Sequence, residues 1–141
     1  MMKKSIVYKG GYKYQLTRDY TDKLTLKPAV SVTKEINAYI QLSIEGDLVI
    51  RKGYAWDGPS GPTIDTKNFM RGSLVHDALY QLIREEHLKS TDRDAADVLL
   101  RHMCREDGMS WLRAAWVYRG LNWFGDKAAD PDNKRPEQTA P

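Results

Sequence analysis

Residues 56–66, "WDGPSGPTIDT", divide this chain into two halves with different periodicities. The stretch holds two glycines and two prolines. Proline fixes φ and removes a donor, and glycine supplies the conformations other residues avoid, so the segment reads as a loop rather than regular structure. Before it, apolar residues alternate with polar ones. After it they recur at helical spacing.

The front half, residues 1 to about 55, reads as β. "YKYQLTR" (12–18) alternates aromatic or apolar with polar side chains, the period-2 signal of a half-buried strand. "AYIQLSI" (38–44) and "LVIRKGY" (48–54) flank Glu45-Gly46-Asp47, a hairpin signal. The intervening "LKPAVSVTKEIN" is expected to be loop with one short strand.

In the back half, 67–87, 91–107 and 110–124 are expected helices, each with apolar residues at helical spacing. Thr91 with Asp94 resembles a capping box, Gly108 fits the position just past a helix end, and Ser110 is placed to cap the third helix. In that helix, Trp116 and Trp123 with Leu112 form an apolar face expected to pack on the other helices; a lipid-interface or virion-docking role is the alternative. From Asp126 onward "DKAADPDNKRPEQTAP" has three prolines and no apolar periodicity, and reads as a disordered tail over 126–141. The fold class is α+β: one domain over 1–125, with an antiparallel β half, the loop at 56–66 and three C-terminal helices.

Composition narrows the function classes. At 141 residues with 41% hydrophobic and 29% charged residues, the chain has the balance of a soluble globular domain. A formal charge of +3, with acids scattered among the bases, gives no nucleic-acid stripe. Cys104 is the only cysteine, so no intrachain disulfide is available. "MMKKSIVYKGGYKY" has lysines without an apolar stretch behind them, so no secretory signal is expected. No apolar run approaches the roughly 18 residues that a membrane span needs.

Chemistry concentrates in "VHDALYQ" (75–81). His76 and Tyr80 share a helix face one turn apart, and Asp77 points about 100° away. In the next helix Asp97 lies among Ala95, Ala96, Val98, Leu99 and Leu100, a setting in which a carboxylate needs a partner. The short turn near 88–90 makes the two helices antiparallel neighbours, which brings Tyr80 nearly level with Asp97. Asp92 and Asp94 are competing partners for His76. A carboxylate on one imidazole nitrogen fixes the tautomer and raises the basicity of the other, which can then take a proton from water. Asp77 is left to bind a hard cation together with loop oxygens, since calcium takes about six to eight of them. The bland alternative is a polar cluster that pins two helices together. His76, His102 and Cys104 lack any zinc-ligand spacing. The absence of a histidine before position 76 sets aside metal-dependent phosphohydrolases that use an adjacent His-Asp pair.

Gly53, Asp57, Gly58, Ser60, His76, Asp77, Tyr80, Ala96 and Asp97 resemble the motif set of an uncharacterised family of small phage and prophage proteins. That set comprises a Gly-x-x-x-Asp-Gly-x-Ser-x-Pro-like loop and a later H-D-x-x-Y…A-D pattern. Here Gly61 stands where proline is closer to the norm, with Pro62 following. The resemblance spans roughly residues 36–125 and implies a phage origin, with phage virion proteins as partners and the host cytoplasm or virion as location. A second, local resemblance joins "HDALY" and the later "AAD" to the A-two class of phospholipases, especially the disulfide-free domain of parvovirus capsids. It implies His76 as base, Asp97 as its orienting carboxylate, Tyr80 supporting Asp97, and lipid as the partner. It also implies a calcium site of Asp77 with Asp57, Gly58, Ser60 and Gly61. The order of residues in that loop departs from the usual calcium loop. Two readings therefore stand: a lipid-ester hydrolase, and a non-catalytic virion or assembly component. Peptidoglycan hydrolysis has no supporting motif.

Overall fold

The computed structural model describes residues 5–10, 14–56 and 67–119. Among the described residues six short strands precede the helices: β1 (Tyr8–Lys9), β2 (Tyr14–Leu16), β3 (Tyr20–Lys23), β4 (Ile40–Leu42), β5 (Asp47–Ile50) and β6 (Ala55–Trp56). They form two antiparallel sheets in the orders β1-β2-β6 and β3-β5-β4. The fold is α+β, with the β half first.

The expected hairpin is β4–β5. Ile40 pairs with Ile50 and Leu42 with Leu48, while Gly46 takes φ 95° in the turn. Where one short strand is expected in the preceding loop, Val32 forms only an isolated antiparallel bridge with Leu42 of β4. Two departures have local causes. β3 carries a single inward apolar residue, Tyr20, and pairs all four of its residues with β5, so its signal lies in its partner rather than in itself. Trp56, assigned above to the loop, is instead the last residue of β6. It pairs with Tyr14, is 2% exposed, and its indole N–H donates to Ser73 Oγ at 3.0 Å.

Helix α1 (Lys67–Arg84) is buried on nearly every side from Phe69 to Tyr80. Leu74, Val75, Ala78, Leu79, Leu82 and Ile83 join the inward strand residues Ile40, Leu42, Leu48 and Ile50 in one core. A helix buried all round carries polar side chains only where they are paired. The three such residues, Arg71, Ser73 and His76, all have partners.

Helix α1 ends at Arg84, earlier than the expected 87. Glu86 takes φ 65°, and the N–H groups of Glu86 and His87 return to the carbonyls of Ile83 and Leu82, closing the last turn. A 3-10 turn at Ser90–Asp92 leads into α2 (Arg93–Glu106). The entry interaction is not the expected Thr91–Asp94 pair: Asp92 Oδ2 accepts from the Lys89 N–H at 3.0 Å. Gly108, at φ 98°, ends α2 as expected. Its N–H reaches the Arg105 carbonyl and that of Met109 reaches Cys104.

Helix α3 occupies 111–119 of the described residues, with Ser110 Oγ accepting from the Arg113 N–H. Its packing corrects an expectation. Ala114 and Val117 face inward, joining Phe69, Leu100, Cys104 and Met109 in a second small core. Trp116 and Leu112 point outward, at 68% and 61% exposure. Small residues let the helix approach its neighbours closely, so the bulky ones fall on the far side. Trp123 and the tail at 126–141 lie outside the described residues.

Candidate functional site

The site is built where α1 and α2 run antiparallel. Gly72 permits the contact: a Cβ there would lie 2.5 Å from Leu100 Cδ1 and 3.3 Å from Cys104 Sγ. One turn further along α1 comes His76, and one turn back along α2 comes Asp97. The close approach at Gly72 therefore sets the level at which imidazole and carboxylate meet.

His76 Nε2 lies 2.6 Å from Asp97 Oδ1, and the Tyr80 hydroxyl donates to the same oxygen at 2.6 Å. The two rings are stacked at a tilt, centroids 4.1 Å apart. Asp97 is fully buried, and its Oδ2 has no hydrogen-bond partner among the described residues. The expected meeting of these three residues is what the structure contains. The competing carboxylates are engaged elsewhere, Asp92 at the Lys89 N–H and Asp94 as acceptor from the Tyr118 hydroxyl.

The acceptor geometry assigns the imidazole tautomer. A carboxylate oxygen can only accept, so Nε2 carries a hydrogen and Nδ1 holds the lone pair when the ring is neutral. Nδ1 faces Asp77, whose Oδ1 is 3.9 Å away and whose side chain is 35% exposed. Burial alone pushes the His76 pKa down. The carboxylates of Asp77 and Asp97 on its two nitrogens outweigh burial and hold it above the usual value of 6.5. For Tyr80, burial and then Asp97 push the hydroxyl far above its ordinary range, so it stays a donor.

No family model, curated protein or solved structure matches this chain in comparisons of its sequence and fold.

His76, Tyr80 and Asp97 are all buried. His76 is 5% exposed. A cavity of about 630 Å³ is lined by Lys27, Ile83, His87, Leu88, Lys89 and Asp92 among others, and touches none of His76, Tyr80 and Asp97. Of the expected cation ligands, Asp57, Gly58, Ser60 and Gly61 lie outside the described residues, leaving Asp77 alone. Among the described residues no three His, Cys, Asp or Glu side chains are grouped to hold a metal ion. His102 is exposed, while Cys104 is buried, its thiol pushed up to about 12 by burial and then by Asp107.

Sequence reasoning passed over Arg71. Only 4% exposed, it places Nε 2.9 Å from Asp107 Oδ2, and one terminal nitrogen 3.2 Å from the Tyr20 hydroxyl and 3.6 Å from Asp22 Oδ2. Its other terminal nitrogen is 3.4 Å from Glu106. The available signal was an arginine inside the apolar run "NFMRGSLV".

Proposed function

We propose that this chain is a phage-associated hydrolase of lipid esters in which His76 is the general base. The observation that carries the reading is the 2.6 Å contact of His76 Nε2 with a fully buried carboxylate that also takes the Tyr80 hydroxyl. Asp97 holds the ring in the tautomer that leaves Nδ1 basic, and Tyr80 holds Asp97. Nδ1 accepts a proton as a water oxygen bonds to the ester carbonyl carbon. The tetrahedral intermediate then expels the alcohol oxygen, which takes the proton back. The lipid class and the phage setting rest on the motif resemblances. Calcium, bound through Asp77, would polarise the carbonyl. Asp77 is its only candidate ligand among the described residues, so the base chemistry stands on His76, Asp97 and Tyr80.

The burial of His76 favours a second reading, in which the same three residues are a polar tie between α1 and α2. The deciding experiment measures release of fatty acid from short-chain phospholipids by the wild type and by His76→Gln, alongside their melting temperatures. Turnover lost in a variant that melts normally supports the hydrolase. A wild type without turnover, and a variant that melts early, assign the cluster to structure.

A further inference from the structure

Helix α3 turns three large apolar side chains to solvent: Trp111, Leu112 and Trp116, at 62%, 61% and 68% exposure. Leu112 and Trp116 are one turn apart, and at 100° per residue Arg119, also exposed, falls between Trp111 and this pair. Residues 110–125 contain Arg113 and Arg119 but no Asp or Glu. At one margin Arg101 stacks over the Tyr118 ring at 5.6 Å. The face thus combines indoles, a leucine and a cation without a carboxylate on its helix. Tryptophan and arginine favour the boundary between lipid headgroups and acyl chains.

We propose that this face of α3 docks the protein onto an anionic lipid surface. Trp111, Leu112 and Trp116 enter the boundary layer, and Arg119 meets the lipid phosphates. The inference shares its lipid with the hydrolytic reading but does not depend on catalysis, so the test reads binding and not turnover.

The experiment is flotation of the full chain with vesicles of phosphatidylcholine and phosphatidylglycerol in equal parts, beside vesicles of phosphatidylcholine alone. The wild type is expected to float with the anionic vesicles, less with the neutral ones, and less again as salt rises. Replacing Trp111, Leu112 and Trp116 together by Ser should lower partitioning by roughly tenfold or more. Arg119→Glu should weaken it and remove part of its salt dependence. These side chains are exposed, so the variants should melt like the wild type; Trp116→Ser alone serves if the triple variant does not. A wild type that stays with the protein fraction, or variants that float equally well, overturn the proposal. So does concentration-dependent dimerisation abolished by the same substitutions, which would assign the face to a second copy.

Discussion

His76 Nε2 and Asp97 Oδ1 lie 2.6 Å apart on neighbouring antiparallel helices, and the imidazole pKa is raised as a result of its two carboxylates against the opposing effect of burial. A histidine whose folded pKa exceeds its unfolded value adds stability that is fully present below the unfolded value of 6.5. That stability is lost as pH rises through the folded value. The gap in melting temperature between the wild type and His76→Gln should therefore be widest below pH 6.5 and shrink as the pH is raised through the folded value. Activity should run the other way, since only the neutral ring accepts a proton. A gap that widens with pH would contradict the raised pKa.

Removing the two ends of the Asp97 network should have unequal costs. Tyr80→Phe deletes one donor to a carboxylate that keeps His76, at about 1–3 kcal/mol. Asp97→Ala strands a buried imidazole and a buried hydroxyl together, at about 3–5 kcal/mol. Urea melts of both variants check the order, and Tyr80→Phe proving the costlier would mean that Tyr80 supports more than Asp97.

Gly72→Ala offers a test of what sets the helix spacing. In an open helix the change would help, by up to about 1 kcal/mol. Here the new methyl meets Leu100, itself 2% exposed, so a net loss of about 1–2 kcal/mol is expected. Shortening the neighbour in Gly72→Ala with Leu100→Val should recover part of that loss. Strictly additive costs would show that the two positions do not share the contact.

The helix pair was legible because its signals are local or level with one another. Gly108 and Ser110 end and begin helices by their own chemistry, and residue counts from the turn placed Tyr80 beside Asp97. What escaped depends on partners. β3 has one buried apolar residue and owes its existence to β5. The inward face of α3 is Ala114 and Val117, chosen by how near α1 and α2 come, and hydrophobicity alone pointed to the bulkier Trp116 and Leu112. The entry to α2 uses Asp92 because the chain enters through a 3-10 turn, which shifts the first helical residue to Arg93. Whether the His76 site opens to substrate is likewise a property of the surrounding fold, invisible to spacing.

Calcium can be examined without a substrate. A ligand that binds only the folded state raises stability as its concentration grows. If Asp77 is part of a calcium site, millimolar calcium should raise the melting temperature of the wild type relative to chelator, and Asp77→Asn should lose the shift. Superimposable melts in calcium and chelator would remove the cation from the proposed mechanism.

Arg71 gives the sharpest stability test away from the proposed site. Its guanidinium binds Asp107 just past α2 and, through Tyr20 and Asp22, reaches β3, so one side chain of α1 joins both flanking layers. Tyr20 in turn donates to Asp22 at 2.8 Å, which leaves that carboxylate partly satisfied without the arginine. Asp107, 13% exposed, relies on Arg71 more directly, whereas Glu106, at 65%, is in water and adds little. Arg71→Met should therefore cost about 3 kcal/mol, chiefly by leaving part-buried carboxylate charge uncompensated beside the arginine's buried position. If that is the cause, adding Asp107→Asn to Arg71→Met should restore part of the loss, although Asp107→Asn alone destabilises. Denaturant melts of the two single variants and the double close the cycle. A double variant no better than Arg71→Met would place the cost in lost packing of the arginine stem instead of in stranded charge.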